Sequence, residues 1–192
     1  MAKVWWSSLK KSMEERLCKP LQKRVQVHKT LYRGSHNRCQ FDAGSGRFWI
    51  LLDREQIFSA SDQEFWNEVV PLRNDLCRSV GSVRSGDAGW YAAQEQAKVI
   101  LHAKRIYSHY DCQDALKESL NLSIEDAITS SNKLIKAFAM VDKRLGKRRL
   151  KEFSPDVGEH CLVKQFYELR CSIEGLRFKV LNRVLDCTQE PN

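Results

Sequence analysis

The segment Asn132–Leu150 constrains the fold more than any other part of the chain, because an apolar helical stripe runs directly into a dense basic run. The apolar residues recur at steps of four and three, so they share one face of a helix and can be buried there. They are Leu134, Phe138, Val141 and Leu145. The basic residues on the opposite side are Lys133, Lys136, Lys143, Arg144 and Lys147. This pattern predicts a buried amphipathic helix, but it identifies neither a reaction nor a ligand.

Three motifs are similar to those of a family of uncharacterised bacterial proteins of about this length. They are W-S-x-L-K beginning at Trp6, D-K-R-x-G-K-R-R-L beginning at Asp142, and F-Y-E-L-R beginning at Phe166. The chain resembles that family over most of its length, and the likeness is loosest between Asp62 and Gln113. The resemblance implies one family-wide architecture and brings no activity, cofactor or partner with it.

Composition and length predict a folded protein of the cytoplasm. The chain has 192 residues, 42% of them hydrophobic and 29% charged, which is typical of a globular protein with a full core. The longest apolar run, Phe48–Leu52, is far too short to cross a bilayer, and the N-terminal residues lack the apolar core of a secretory signal. Seven cysteines without a C-x-x-C pair favour reduced thiols over a disulfide framework.

The first 60 residues predict a helix followed by a small sheet. Apolar residues recur at helical spacing from Trp6 until Pro20 ends the pattern. From Arg24 the period becomes two, which is typical of a half-buried strand. Phe48–Asp53 predicts a second, antiparallel strand, and Gln56–Ser59 a short third one.

The rest of the chain predicts helices. One begins near Asp62 and is kinked or divided at Pro71, one covers Trp90–Tyr110, and a short one covers Ser123–Thr129. The last helix of the chain carries an exposed Arg170–Glu174 pair at four-residue spacing. We therefore predict an α+β fold in which an N-terminal helix and a small antiparallel β-sheet of two or three strands are packed with a C-terminal helical bundle. Residues 1–60 form the first part and residues 61–192 the second, within one compact domain.

The basic run provides the candidate binding residues. Residues 1–60 carry a net charge of +7, residues 61–130 carry −4 and residues 131–192 carry +5, so two basic segments flank an acidic one. Such asymmetry is typical of a protein that binds a polyanionic partner, or of a chain in which two parts attract each other. The candidate binding residues are Lys136, Lys143, Arg144, Lys147, Arg148 and Arg149. The alternative is a solvated helix C-terminus in which Asp142 and Arg149 form a structural ion pair.

The predicted hairpin offers a second basic surface. Its aromatic and basic residues are His28, Lys29, Tyr32, Arg33, Arg38, Arg47 and Trp49. Such a mixture suits a surface on which nucleic-acid bases stack. The alternative is a sheet with one face under helices, in which Tyr32 and Trp49 belong to the core.

No pattern in the sequence predicts catalytic, cofactor-binding or metal-binding residues. His36 and Cys39 have the spacing of metal ligands, but a structural zinc site needs two further ligands, and none is suitably spaced. None of the cysteines lies in a local nucleophile signature, and the phosphate-binding, dinucleotide-binding and hydrolase motifs are absent. We therefore expect no cofactor.

These patterns favour a non-catalytic cytoplasmic interaction or regulatory protein that binds an acidic protein partner. The first alternative is RNA or DNA binding through the basic patch at residues 143–151. The second is an enzyme whose site is assembled from residues distant in sequence. We expect no membrane association, and the sequence does not set an oligomeric state.

Overall fold

The computed structural model describes residues 5–30, 46–79, 81 and 84–176. Its strands are β1 Val25–Thr30, β2 Arg47–Leu52 and β3 Glu55–Ser61. Its α-helices are α1 Trp6–Arg16, α2 Asp62–Ser79, α3 Ala88–Ala103, α4 His109–Asn121, α5 Ile124–Thr129, α6 Lys133–Val141, α7 Lys147–Glu152 and α8 Cys161–Ile173. The predicted α+β class is confirmed, with its N-terminal helix, three-stranded antiparallel sheet and following helices. None of the helices in these ranges is both long and apolar enough to cross a membrane.

The chain divides into two compact units. The terminal unit comprises residues 1–25 and 115–192, and the central unit comprises residues 26–114. The division falls inside α4, whose residues from Ala115 onward belong to the terminal unit. The boundary at residue 60 and the single compact domain, both expected from the sequence, stay predictions.

The sheet of the central unit has the strand order β1-β2-β3. Strands β2 and β3 are antiparallel and joined by a tight turn in which Asp53 and Arg54 both have positive φ. That conformation matches the right-handed twist of a hairpin. Phe48 lies opposite Ala60 and Ile50 opposite Phe58, and all four are buried, so they form the inner face of the sheet.

The helices of the central unit differ from the prediction in one respect. The helix expected over Trp90–Tyr110 is two helices, since α3 ends at Ala103 and α4 begins at His109. Arg105 adopts a left-handed conformation that ends the first helix. Ser108 and Asp111 then start the second: the Asp111 amide donates to the Ser108 hydroxyl over 3.1 Å, and the Ser108 amide donates to the Asp111 carboxylate over 2.9 Å. This reciprocal pair is a capping box.

The terminal unit is built around α6, which Asn132 caps by accepting from the Leu134 amide over 3.0 Å. The predicted stripe of Leu134, Phe138, Val141 and Leu145 is confirmed as buried. The helix nevertheless ends at Val141, because Asp142 has an extended backbone that bridges to Leu17. The basic run therefore lies partly in a turn and partly in the first turn of α7, not at the helix C-terminus expected from the sequence.

Arg170 is buried in the terminal unit, although the sequence predicted it on the surface. Only 2% of the residue is exposed. Its Nε donates to Glu174 over 2.6 Å, while its Nη1 and Nη2 donate to the carbonyls of Asp142 and Leu145 over 3.1 and 3.2 Å. The exposed pair predicted from the four-residue spacing is thus a buried one, and it fixes the turn that follows α6.

Candidate anion-binding groove

An open groove of about 510 Å³ lies in the terminal unit. Helix α1 lines it with Ser8, Leu9, Ser12, Glu15 and Arg16, and α4 lines it with Lys117, Leu120 and Asn121. The turn after α6 completes it with Lys143 and Arg144. Three segments far apart in sequence therefore meet at one concave surface, most of whose ionisable side chains are basic.

Backbone hydrogen bonds hold the basic turn against the end of α1. The Lys143 amide donates to the Arg16 carbonyl over 2.7 Å, and the Cys18 amide donates to the Val141 carbonyl over 3.0 Å. The Lys143 ammonium also donates to the Glu15 carbonyl over 2.8 Å. A cation at the C-terminal end of a helix is favoured by the helix dipole. Lys143 is thus placed by main-chain contacts and not by a carboxylate.

Arg144 is fixed in the wall of the groove. Its Nη2 and Nε donate to the Asp142 carboxylate over 2.7 and 3.0 Å. Its Nη1 donates to the Leu122 carbonyl over 2.7 Å. A guanidinium held by a bidentate carboxylate and a carbonyl has little freedom, and its charge is neutralised locally. Arg144 therefore contributes to the shape of the groove more than to its positive charge.

Three cations of the groove lack a neutralising carboxylate. Across residues 5–30, 46–79, 81 and 84–176, neither Arg16, Lys117 nor Lys143 forms an ion pair. The carboxylate in the lining belongs to Glu15, which is 3.8 Å from the ammonium of Lys11. Arg16 Nη1 is buried and has no hydrogen-bond partner in the described part of the chain. The groove thus presents a concentrated positive charge.

This arrangement suits an anionic group. Guanidinium and ammonium groups bind carboxylates and phosphates through short, charge-assisted hydrogen bonds. The hydroxyls of Ser8 and Ser12 and the amide of Asn121 add neutral donors and acceptors. Arg16 also lines a neighbouring cavity of about 20 Å³, which has room for a single water molecule. Of these two spaces in the described part of the chain, the larger groove is the one that can admit a side chain or a peptide segment.

The structure brings two of the six predicted binding residues, Lys143 and Arg144, into the groove. The other four form ion pairs outside its lining: Lys136 with Glu159, Lys147 with Glu174, Arg148 with Glu152, and Arg149 with Glu125. The predicted ion pair between Asp142 and Arg149 is replaced by Asp142 with Arg144. Residue 144 is near enough in the same turn to fold back on the carboxylate, whereas Arg149 lies in α7 beside Glu125.

Lys136 takes part in a half-buried charge cluster. Its ammonium bonds to Glu159 and lies 5.5 Å from the centre of the Phe153 ring, and Lys133 is 3.4 Å from the same carboxylate. Burial alone would raise the pKa of Glu159. Hydrogen bonds from Lys136 and the His160 amide, together with the charges of Lys136 and Lys133, instead lower its pKa to about 2. The charge of Lys136 is therefore neutralised within the fold by Glu159.

The structure describes only part of the basic and aromatic surface predicted on the hairpin. Trp49 is half-buried on the outer face of the sheet, with His28 stacked on its ring and Arg47 beside it. Lys29 does not share this face: its ammonium bonds to Gln113, and burial lowers its pKa against the raising effect of Asp62 and Asp114. Tyr32, Arg33 and Arg38 lie outside the described residues, as do His36 and Cys39. In the ranges given above, no three His, Cys, Asp or Glu residues form a potential metal site.

Asp62 and His109 form a buried pair in the central unit that no sequence pattern predicts. His109 is 1% exposed, its ring Nδ1 bonds to the Asp62 carboxylate, and its amide donates to the same group over 2.9 Å. Among described residues, His109 Nε2 has no hydrogen-bond partner. A Cβ added to Gly46 would lie 2.7 Å from the Asp62 carboxylate and closer still to the imidazole. The backbone of Gly46 therefore packs directly against both side chains of the pair.

Sequence reasoning also missed Arg16 and Lys117 in the groove. Each is one of 32 lysines and arginines, and about 100 residues of chain separate them. Position 16 does carry a weak sequence signal, since a basic residue in the last turn of a predicted helix is stabilised by the helix dipole. No spacing rule connects that position with Lys117, because their proximity depends on how the helices pack.

Comparison with known proteins places the chain in a family. Neither the curated proteins nor the solved structures contain a match to this chain. A family model described as the SF0329 protein family matches residues 5–171, which include α1, α4, α6 and α7 and every residue of the groove. Because this match covers most of its length, the chain belongs to the SF0329 protein family.

Proposed function

We propose that the protein is a non-catalytic interaction protein whose groove in the terminal unit binds an acidic segment of a partner polypeptide. One observation carries this proposal: Arg16, Lys117 and Lys143 line a single groove, and none of them has a carboxylate partner in the part of the chain that the structure describes. Unneutralised like charges in one concavity repel one another, and an anionic ligand relieves that repulsion. Such complementarity favours fast and selective association with an acidic surface.

The lining of the groove favours a polypeptide over a nucleic acid. Leu9 and Leu120 supply apolar contact, while Ser8, Ser12 and Asn121 can hydrogen-bond to a peptide backbone. Among the described residues that line the groove there is no aromatic ring, so these residues offer bases no stacking surface. The basic run at residues 143–151 supports phosphate binding less well, because Arg144, Lys147, Arg148 and Arg149 are each paired with a carboxylate.

We place this interaction in the cytoplasm. Five cysteines in the described ranges are free thiols: Cys18, Cys77, Cys112, Cys161 and Cys171. Free thiols are typical of a reducing compartment, where disulfides rarely persist. Burial raises the pKa of Cys112 well above the usual thiol value, with the charges of Asp111 and Asp62 acting in the same direction, so this thiol is inert and consistent with a structural role.

The proposal is tested by reversing one charge inside the groove and one outside it. Lys117 and Lys151 are both exposed lysines without an ion-pair partner among the described residues, but only Lys117 lines the groove. Binding of a fluorescent acidic peptide with interspersed leucines is measured for wild type, Lys117→Glu and Lys151→Glu. We expect Lys117→Glu to weaken binding about tenfold, since it loses one attraction and gains one repulsion. Lys151→Glu should change it less than twofold.

Two outcomes would contradict the proposal. Equal weakening by both substitutions would mean that overall charge, and not the groove, attracts the peptide. An oligonucleotide that displaces the peptide and also loses affinity on Lys117→Glu would assign the groove to nucleic acid instead. Circular dichroism of each variant verifies that the helices are intact.

A further inference from the structure

The outer face of the sheet in the central unit carries a continuous strip of polar and aromatic side chains. Starting on β1, Gln26 Oε1 lies 3.3 Å from His28 Nε2. The His28 ring stacks on Trp49 of β2 with a centroid distance of 5.1 Å and an interplanar angle of 11°. Arg47 lies 5.3 Å from the centre of the Trp49 ring and donates to Gln56 of β3. The strip therefore crosses all three strands.

We propose that this strip binds a single-stranded nucleic acid by base stacking, independently of the groove in the terminal unit. Arg47 is exposed, and its guanidinium is held by contact with the Trp49 ring and by its hydrogen bond to Gln56. Bases stack well on aromatic rings and on guanidinium planes that are fixed in this way. A base can stack on the exposed guanidinium of Arg47, beside the ring pair that His28 and Trp49 already form.

The chemistry of the strip selects this ligand over a protein partner. Its members are two amides, an imidazole, an indole and a guanidinium, and it contains no carboxylate. The amides of Gln26 and Gln56 are exposed, so they can hydrogen-bond to the edges of splayed bases. Arg47 adds a positive charge for the phosphate backbone. A protein interface would instead require a larger exposed apolar area at its centre.

The inner face of the sheet makes the strip a rigid platform. Phe48, Ile50, Phe58 and Ala60 are buried beneath it, and on β2 the buried residues alternate with the outward-facing Arg47 and Trp49. On β3 a register shift after Ile50 pairs Gln56 with Leu51, which puts Gln56 on the outer face. A duplex would not profit from such a platform, because its bases are already stacked on each other. The ligand is therefore an unpaired strand.

The test measures fluorescence anisotropy of labelled twelve-residue oligouridylate and oligothymidylate with the full-length protein at low salt. We expect Trp49→Ala to weaken binding about tenfold or more, because it removes the ring that positions Arg47 and His28 for the base. Trp49→Phe should retain most of the affinity. Arg47→Gln should weaken binding and reduce the dependence of log affinity on log salt by about one contact.

Matched controls separate stacking from folding and from the groove. Trp66 is an exposed tryptophan on α2, outside the strip, so Trp66→Ala should leave the affinity unchanged. Lys117→Glu in the groove should also leave it unchanged. Oligonucleotide affinity that survives Trp49→Ala in a folded variant would overturn the proposal. So would a wild-type protein that binds neither oligonucleotide at about 100 μM, the weak limit of non-specific affinity.

Discussion

The backbone amide of Lys143 donates to the carbonyl of Arg16 over 2.7 Å, and this bond joins the basic turn after α6 to the C-terminal end of α1. It places an ammonium and a guanidinium at one end of the same groove, although 126 residues of chain lie between them. The positive charge of the groove thus follows from main-chain geometry. A substitution that releases the turn after α6 from α1 should therefore move Lys143 away from Arg16 and also destabilise the fold.

Arg170 should be essential for that turn. We expect Arg170→Met to lower the free energy of unfolding by about 3–5 kcal/mol. The substitution removes the donor to the carbonyls of Asp142 and Leu145, and it leaves the buried Glu174 carboxylate with Lys147 alone, 3.4 Å away. Arg148→Met serves as the control, since the side chain of Arg148 is 91% exposed and its ion pair is worth little. Urea unfolding gives both values, and a loss for Arg170→Met below about 1 kcal/mol would contradict the buried network.

Glu159 should make stability depend on pH in the acid range. Its pKa is about 2 in the folded protein against an ordinary value of 4.5, so it stabilises the fold fully above pH 4.5. That contribution is lost as the pH falls from about 4.5 to about 2, because the unfolded chain takes up the proton first. We expect Glu159→Gln to cost about 1–3 kcal/mol at pH 7 and to remove this part of the acid dependence.

Glu152→Gln is the matched control for this substitution. Glu152 pairs with Arg148 on an exposed surface, so its neutralisation should change the free energy of unfolding by less than about 0.5 kcal/mol. Denaturation curves at several pH values between 2 and 7 compare the variants. Identical pH profiles for Glu159→Gln and wild type would show that the cluster with Lys136 and Lys133 contributes no net stability.

Gly46 should tolerate no side chain. An added Cβ would collide with the His109 imidazole and the Asp62 carboxylate, both of which are buried and bonded to each other. We expect Gly46→Ala to cost about 2 kcal/mol or more. Gly158→Ala is the control, since nothing lies within 4 Å of its added Cβ and its cost should stay within about 0.5 kcal/mol. Thermal unfolding distinguishes the two, and equal melting temperatures would contradict the close approach.

The sequence predicted the elements whose signals are local. The stripe from Leu134 to Leu145 identified buried positions, because helical periodicity reflects burial directly. The alternation after Arg24 identified β1 for the same reason. Periodicity failed between Ala103 and His109, where apolar residues keep a helical spacing although Arg105 and the capping box of Ser108 and Asp111 divide the segment.

The candidate site was less predictable than the fold. Lys143 and Arg144 were found because basic residues cluster around them, but the same criterion also selected Lys147, Arg148 and Arg149, which the structure pairs with carboxylates. Arg16 and Lys117 were missed because only tertiary packing brings them together. Charge density along a sequence does not reveal which charges are neutralised, since the neutralising carboxylates come from other elements.

The most direct test of the central claim is a ¹H–¹⁵N NMR titration of the full-length protein with the acidic peptide. We predict that the amide signals that shift belong to the three segments of the groove: residues 8–16 of α1, residues 117–121 of α4, and the turn at Lys143 and Arg144. The signals of Arg148 and Lys151 should move little. Shifts confined to α7, or to the central unit with the groove unchanged, would contradict the assignment of the groove as the site for an acidic partner.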